Sequence, residues 1–348
     1  NSKSSNVIGR SGVFGDRASN YAVQKSDLLI VLGSRMSTAQ IGYMDDMFSP
    51  KSKKIYVDIS KEELNKKTFI ADLKIQSDVK NFLTVINKEL VKRKITTECS
   101  IWKKKLLEFK NKYKMTDVHQ KRAKDFTNSF RFIDELSNSL KKNDIIVTDM
   151  GTSFTCTMQS FQAKDNQRLF TSSGLASMGY GLPAAIGACI GSKKQRVICI
   201  AGDGGLMFNL QEFQTVKHYK LPIKIFVIDN NGYLTQKLMQ IKNFKRYVGA
   251  HPKSGVSCPD FIKIAKSFGF ETSIINSDTT QKKNLSKILK DNKPHVCVVK
   301  IHPMQPLHPR VVMRMNKDGS FNRVGLESVY PFLNEKEHIN NLKLLDSI

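Results

Sequence analysis

Two short apolar runs, each followed by a polar loop, constrain the fold of this chain more than any other feature. Residues 196–201 (RVICIA) lead into GDGG at 202–205, and residues 223–228 (IKIFVI) lead, after one aspartate, into NNGY at 230–233. Both runs have the length and β-branched content of buried parallel strands. Apolar residues at helical spacing in 209–219 predict a helix between them, beginning just beyond the glycines. Strand, helix and strand in this order predict an α/β fold with a parallel sheet.

The two loops together have the composition of a magnesium diphosphate site. Magnesium prefers oxygen ligands in near-octahedral geometry and usually shares them with phosphates. One carboxylate, one amide oxygen, one backbone carbonyl and two diphosphate oxygens would meet that need. GDGG alone is more often an ordinary turn after a strand. However, Asn230 follows Asp203 by 27 residues and stands behind a second strand, and this combination favours the metal site.

This pattern resembles the motif of thiamine diphosphate-dependent enzymes, a GDG followed by an asparagine. The resemblance implies that Asp203 and Asn230 bind magnesium through their side chains and Gly232 through its carbonyl. It also implies α/β, parallel-sheet, three-layer domains: a thiamine diphosphate-binding fold preceded by part of a Rossmann-like central domain. The cofactor contacts that it implies around the two loops are Gly202, Asp203, Gly204, Gly205, Asn230, Gly232, Tyr233 and Leu234.

A second segment, residues 174–187 (GLASMGYGLPAAIG), resembles acetolactate synthases and their relatives. In that family the segment grips the aminopyrimidine and props the cofactor in a bent form, which implies a backbone contact at Ala176 and an apolar prop at Met178. A methionine is otherwise more often core filler. The diphosphate contacts that the resemblance implies after the strand at 145–148 are Gly151, Thr152 and Ser153. Hydroxyl residues at a strand end are otherwise more often turn residues.

Residues 1–92 predict a small α/β unit. Strands at 27–32 and 54–58 alternate with helical stretches at 39–48 and 79–91, an order that implies parallel pairing.

The loops of this unit resemble the second half of the central domain of acetolactate synthase-like enzymes. The resemblance rests on Gly9, Gly12 and Gly15 before the first strand and on short polar segments after both strands. In flavin-bearing relatives that domain holds FAD. Phe14 stands where those relatives have a histidine, and Ser60 where they have an acidic residue. The pattern for FAD is therefore incomplete, and FAD is left open.

The rest of the chain is predicted to form a connector and a cofactor domain. Residues 93–118 carry many lysines among a few apolar residues, which indicates a basic helix or linker. Residues 119–348 are predicted to form the C-terminal thiamine diphosphate domain, with a helix at 130–140, four buried strands and a C-terminal tail.

The resemblance also implies a missing partner domain. In this family a glutamate on an N-terminal pyrimidine domain activates the cofactor, which lies between that domain of one subunit and the diphosphate domain of another. Since the chain starts within the central domain, we expect a piece of a longer polypeptide, or a separate subunit that supplies the glutamate. We expect a homodimer or homotetramer, and no turnover by residues 1–348 alone.

The implied reaction is decarboxylation of a 2-oxo acid such as pyruvate and transfer of the acyl carbanion to a second carbonyl, with thiamine diphosphate and magnesium as cofactors. Gln236 lies three residues after Tyr233, where pyruvate decarboxylase-like enzymes place an acidic residue, and glutamine cannot act as a general acid. This favours an acetolactate synthase-like carboligase, although a solvent-facing glutamine explains Gln236 equally well. The alternatives are a non-oxidative 2-oxo acid decarboxylase and a catalytically inactive cofactor-binding subunit.

Composition narrows the classes of protein to which the chain can belong. The 348 residues are 40% hydrophobic, enough for two domains with a core each. The net charge of +25 comes from lysines spread along the chain without a nucleic-acid motif, which favours a solvated surface over specific nucleic-acid binding. No apolar run reaches the length of about 18 residues typical of a membrane span. Six cysteines without a CxxC pair indicate reduced thiols, so we expect a cytoplasmic protein.

Overall fold

The computed structural model of the protein describes residues 2, 4–115, 124–193, 195–313, 318–320 and 322–348. The chain divides into two compact units. The first unit contains residues 5–114 and 308–348, and the second contains residues 1–4 and 115–307. Each is built around a parallel sheet, which confirms the predicted α/β fold class.

The sheet of the first unit has three parallel strands in the order β1-β2-β3. The strands are β1 (Leu28–Leu32), β2 (Lys53–Asp58) and β3 (Leu73–Gln76). The helices along this part of the chain are α1 (Arg17–Lys25), α2 (Thr38–Ile41), α3 (Lys61–Asn65) and α4 (Val79–Lys92). The helical stretch predicted at 39–48 is interrupted, because Gly42 adopts a φ of 93° and ends α2. Strand β3 is short and mostly exposed, so its sequence carries no apolar run.

Helix α5 (Ser100–Lys112) occupies most of the predicted connector at 93–118. Its Leu106 and Phe109 are buried in a cluster with Ala18 and Tyr21 of α1. This helix is therefore part of the first unit, and its many lysines lie around a narrow apolar stripe. Residues 116–123 of the predicted connector and domain boundary lie outside the described residues.

The sheet of the second unit has six strands, all parallel, in the order β5-β4-β6-β7-β9-β8. They are β4 (Ile145–Thr148), β5 (Arg168–Phe170), β6 (Val197–Gly202), β7 (Ile223–Asp229), β8 (Glu271–Ile275) and β9 (His295–Lys300). The four buried strands predicted from the sequence are β4, β6, β7 and β9. The two edge strands, β5 and β8, are only partly buried and mix polar with apolar residues, which hides them from a pattern search.

Helices cover both faces of this sheet and make three layers. They are α6 (Ser129–Ser139), α7 (Thr152–Ser160), α8 (Gly181–Gly191), α9 (Asp203–Leu206), α10 (Glu212–His218), α11 (Leu234–Phe244), α12 (Phe261–Ser267) and α13 (Gln281–Ile288). Alternate residues of each central strand face opposite sides. Ile198 and Phe226 pack with α6 and α13 in one core cluster. Val197 and Ile225 pack with α8, α10 and α12 in the other.

The C-terminal tail returns to the first unit. Strand β10 (Arg310–Val311) pairs antiparallel with β11 (Val329–Tyr330), and helix α14 (Glu335–Asp346) follows. Val311 and Val329 are buried in the same cluster as Val31 and Tyr56. The compact units thus divide the chain differently from the predicted domains, which place this tail with residues 119–307.

Two further features concern the molecule's surface and thiols. No helix in the described ranges is both long enough and apolar enough to cross a membrane. The six cysteines are free thiols; four are buried, Cys258 is half-buried and Cys99 is exposed.

Candidate cofactor and metal site

The carboxyl ends of β6 and β7 bring the two polar loops side by side. The strands are adjacent and parallel, with Gly202 opposite Ile228, so Asp203 and Asn230 leave the sheet at the same edge. The sequence predicts a helix that begins beyond the glycines, and the structure differs. Helix α9 begins at Asp203 itself, and a 3₁₀ turn separates it from α10.

The Asp203 carboxylate organises the second loop. Its Oδ2 accepts hydrogen bonds from the backbone amides of Asn230 at 3.1 Å and Gly232 at 3.0 Å, and its Oδ1 accepts from the Gly204 amide at 2.8 Å. The side chain is buried, and this burial raises the pKa of Asp203 to about 6 although the amides oppose the shift. A carboxylate in such surroundings gains from a nearby cation.

Asn230, whose backbone amide contacts this carboxylate, has an unsatisfied side-chain oxygen. Its Nδ2 donates to Thr152 Oγ1 at 3.2 Å, which joins the loop after β7 to the first turn of α7. Its Oδ1 is buried and has no hydrogen-bond partner among the described residues. A buried amide oxygen without a partner is uncommon and costly. A metal ion bound at this oxygen would remove the cost.

Glycine is required at two positions of the loops. Gly232 adopts a φ of 115°, and a Cβ there would lie 2.6 Å from the carbonyl oxygen of Ala250. A Cβ on Gly204 would lie 2.2 Å from Cε1 of Tyr233. The neighbouring amide of Tyr233 donates to the same Ala250 carbonyl at 3.1 Å. The two loops are therefore packed directly against each other and against residue 250.

A buried lysine completes the loop. Lys237 on α11 is fully buried, and its Nζ donates to the carbonyl oxygens of Asn230 at 2.8 Å and Asn231 at 3.2 Å. Burial lowers the pKa of this ammonium group, and the negative charge of Asp203 opposes that shift.

A second carboxylate connects β4 to the segment before α8. Asp149 is buried, and its two oxygens each lie 3.1 Å from the amide of Gly179, which donates to them. Its Oδ1 also accepts from the Met150 amide at 2.8 Å. Burial raises the pKa of Asp149, and these amides oppose the shift. A Cβ on Gly205 would lie 2.3 Å from Asp149 Oδ2, so this carboxylate also packs against the GDGG loop.

The remaining predicted contacts surround these two carboxylates. Gly151, with a φ of 77°, is the N-cap residue of α7 and has no side chain to cap the first amides of that helix. Thr152 and Ser153 are both buried, and the Ser153 hydroxyl donates to the Met150 carbonyl at 2.9 Å. Leu234 packs in the hydrophobic core, which leaves only its backbone for a ligand.

The segment before Gly179 is exposed. Ala176 adopts a φ of 53°, and Met178 is 41% exposed. Met178 is therefore not core filler in this unit. Gln236 is exposed on α11, and the structure shows no contact that assigns it a role.

The residues at the strand ends fit magnesium bound to a diphosphate. The described residues contain no cluster of three His, Cys, Asp or Glu side chains able to hold a metal. A cation at Asp203 would therefore depend on the Asn230 oxygen, a backbone carbonyl and the oxygens of an anionic ligand. This oxygen-only set is what magnesium selects when it binds with phosphates.

Comparison with protein families agrees with this geometry. Residues 149–299 match the thiamine pyrophosphate enzyme C-terminal TPP binding domain, and residues 1–86 match the thiamine pyrophosphate enzyme central domain. The chain belongs to the thiamine pyrophosphate enzymes. Every predicted cofactor contact of this thiamine pyrophosphate enzyme, from Gly151 to Leu234, falls in the first of these matches.

Three curated relatives are acetolactate synthase large subunits. The chain is 32% identical over 314 residues to a probable one of Methanocaldococcus jannaschii, covering 86% of this chain and 51% of that protein. It is 31% identical over 306 residues to isozyme 1 of Escherichia coli, covering 87% and 52%. It is 32% identical over 298 residues to that of Cyanidium caldarium, covering 84% and 49%. The chain spans about half the length of these relatives.

Sequence reasoning missed two residues of this thiamine pyrophosphate enzyme, Asp149 and Lys237. A signal was present for Asp149, because it directly follows a buried strand, as Asp203 does. Lys237 carries none, because its partners are backbone carbonyls that any residue could supply.

The glycine triplet of the first unit has a structural explanation. The Asn20 side chain accepts from the Gly12 amide at 2.8 Å and donates to the Gly12 carbonyl at 3.0 Å, and the Gly15 amide donates back to that carbonyl at 2.9 Å. Ser60 caps α3 by accepting from the Glu63 amide. Neither feature depends on FAD, and FAD stays an untested prediction.

Proposed function

We propose that the protein is a thiamine diphosphate- and magnesium-dependent carboligase that acts on 2-oxo acids. The family membership and the similarity to acetolactate synthase large subunits support the cofactor and the class of reaction. Since the chain spans about half of those relatives, the reaction is proposed for the protein that contains it.

The observation that carries the proposal is the buried Oδ1 of Asn230, which has no partner among the described residues, in a residue whose backbone amide contacts the Asp203 carboxylate. In the proposed site Asp203 and Asn230 bind magnesium through side-chain oxygens, and Gly232 binds it through its carbonyl. The amides at the start of α7, at Thr152 and Ser153, which the N-cap residue Gly151 does not cap, would bind diphosphate oxygens. Thiamine diphosphate, when bound, supplies the carbon nucleophile and the electron sink for decarboxylation.

The chain's own residues are proposed to position the cofactor. The exposed segment with Ala176 and Met178 is proposed to contact the aminopyrimidine, and Asp149 fixes this segment to the sheet through the Gly179 amide. Tyr233 packs on Gly204 and keeps the two loops at a fixed distance. Gln236 supports carboligation, because a glutamine does not supply the proton that completes a simple decarboxylation.

We further propose a homodimer or homotetramer in the cytoplasm. Leu175 is 87% exposed and Phe208 is 58% exposed, and we propose that a second subunit covers these side chains. Sedimentation equilibrium of the protein measures the assembly state directly, and a monomer at all concentrations would contradict this part of the proposal.

Product analysis with pyruvate, magnesium and thiamine diphosphate, carried out on the complete protein that contains this chain, tests the proposed reaction. We expect carbon dioxide and acetolactate in equal amounts, with no product from the Asp203→Asn variant. Acetaldehyde as the main product would instead show a non-oxidative decarboxylase. Tight cofactor binding without any product would show an inactive cofactor-binding subunit.

A further inference from the structure

The loop after β7 is held by a lysine from the helix that follows it. Lys237 lies in the first turn of α11, and its backbone amide donates to the Tyr233 carbonyl at 2.8 Å. From there its side chain turns back along the loop, and Nζ reaches the carbonyl oxygens of Asn230 and Asn231. One ammonium group thus binds the two residues that directly precede Gly232.

The same loop is held from its other side by Asp203. The amides of Asn230 and Gly232 point to that carboxylate, and the carbonyls of Asn230 and Asn231 point to Lys237. These hydrogen bonds restrain a backbone conformation that is unfavourable by itself. Asn231 adopts a φ of 57° and Gly232 a φ of 115°, in the left-handed region that most residues avoid. Such a conformation persists only where the surroundings determine it.

The partners of Lys237 are carbonyls rather than carboxylates. No ion pair of Lys237 occurs among the described residues, and Asp203 and Asp229 act on its charge from a distance. Asp229 pairs instead with Lys300. Burying a lysine is unfavourable unless its donors are satisfied. Lys237 is buried where its ammonium donors bind the carbonyl oxygens of the loop after β7.

We propose that Lys237 is a positioning residue that holds residues 230–232 in their metal-binding shape before magnesium and the diphosphate arrive. The proposal rests on the proposed function of this loop. Lys237 contacts neither metal nor substrate in it. It aims the Asn230 side chain and the Gly232 carbonyl by fixing the backbone between them.

Lys237 could influence magnesium binding through its charge or through the position it gives the loop. The two effects predict opposite changes of magnesium affinity in Lys237→Met, so this variant distinguishes them. A buried positive charge near a cation site repels the cation, so its removal alone would strengthen magnesium binding. Loss of the two carbonyl contacts would release the loop and weaken magnesium binding. Removing a group that orients metal ligands typically lowers metal affinity about 10- to 100-fold, and we expect a loss in this range.

Lys224 provides a matched control. It is also buried, and its Nζ donates to Asp291 Oδ1 at 2.9 Å and to the Lys293 carbonyl at 2.7 Å. It lies at the beginning of β7, whereas the metal loop follows the end of that strand. Lys224→Met should therefore lower thermal stability without changing magnesium affinity by more than about twofold, a difference close to the usual additivity error for distant sites.

The experiment is calorimetric titration of magnesium into protein saturated with thiamine diphosphate, for wild type, Lys237→Met and Lys224→Met. Hydrogen exchange of the Asn230 and Gly232 amides in metal-free protein is the second measurement. We expect weaker magnesium binding and faster exchange of both amides in Lys237→Met alone. If that variant does not fold, Lys237→Gln repeats the comparison.

The outcomes separate this inference from the proposed function. Unchanged or tighter magnesium binding by Lys237→Met, or equal effects in both lysine variants, would overturn the positioning role alone. Failure of the wild type to bind magnesium with thiamine diphosphate would overturn the proposed function, and the positioning role with it.

Discussion

Asp203 combines two tasks that are separable by mutation. Its carboxylate accepts the amides of Asn230 and Gly232, which shapes the loop, and it carries the negative charge that a cation needs. The first task requires an acceptor oxygen, whereas the second requires an ionised group. Asparagine satisfies the first requirement in part and fails the second.

We therefore predict that Asp203→Asn loses magnesium-dependent cofactor binding and keeps its fold. Calorimetry should show an affinity reduced by at least about 100-fold, equivalent to about 2.7 kcal/mol. Asp203→Ala should lower the stability of the fold more than the sequence suggests, because it leaves buried amides without their acceptor. Each unsatisfied amide costs about 1–3 kcal/mol of stability. Asp260→Asn, at the start of α12, is the control for a capping carboxylate outside the site. Normal cofactor affinity in Asp203→Asn would exclude Asp203 as a metal ligand.

Gly204 offers a steric test of the same loop. The Cβ of Gly204→Ala would overlap the Tyr233 ring, and overpacking of this kind costs about 1–3 kcal/mol. Gly187→Ala is the matched control, since no atom lies within 4 Å of that Cβ and the residue is inside α8. Alanine there should stabilise the helix by up to about 1 kcal/mol. Thermal unfolding should rank the variants Gly187→Ala, wild type, Gly204→Ala, and equal stability of the two variants would contradict the packing described here.

The sequence predicts the residues of the two loops better than it predicts the contacts that hold those loops in place. Asp203, Asn230 and Gly232 are predictable because each follows a recognisable buried strand, and parallel strands bring their carboxyl ends together. Lys237 is not predictable, because its role depends on two carbonyls and on a side chain that turns back along the loop. Interactions with the backbone leave no residue type to search for.

At the scale of elements, burial decides which ones the sequence reveals. Strands β4, β6, β7 and β9 are buried on both faces and read as apolar runs. Strands β3, β5 and β8 lie at sheet edges and are partly exposed, so their residues alternate too weakly to be recognised. Helix α5 was predicted only as a basic helix or linker, since its lysines dominate the composition while its buried residues are Leu106 and Phe109.

Helix α5 provides a test of this description. Phe109 is buried, with its ring centroid 5.7 Å from that of Tyr21, so Phe109→Ala should destabilise the first unit by about 3–5 kcal/mol. Ile101 on the same helix is 65% exposed, and Ile101→Ala should change stability by no more than about 0.5 kcal/mol. Trp102, the single tryptophan of the chain, lies against this cluster, and its fluorescence reports unfolding here. Equal midpoints for the two variants would show that residues 100–112 are a mere connector.

At the scale of the whole molecule, the net charge of +25 is a property of the surface. The ion pairs of Lys53 with Asp72 and of Lys142 with Asp165 are solvated. Pairs of this kind contribute little to stability. The excess positive charge of the chain attracts any polyanion, whatever the sequence of that polyanion.

We predict binding to DNA that depends on salt and not on sequence. Affinity measured by fluorescence anisotropy should fall steeply between about 50 and 200 mM salt, as counterion release requires. Two unrelated duplexes should give the same curve. A preference for one duplex that persists at the higher salt concentration would indicate a specific nucleic-acid site.

The central claim is that Asp203, Asn230 and Gly232 hold the metal of a thiamine diphosphate complex. A crystal structure of the protein grown with thiamine diphosphate and Mn²⁺, with anomalous data at the manganese edge, tests it most directly. We predict one strong anomalous peak about 2.1 Å from an Asp203 carboxylate oxygen, the Asn230 Oδ1 and the Gly232 carbonyl, with two diphosphate oxygens as further ligands. A manganese peak at other residues, or a diphosphate bound away from these three, would contradict the account.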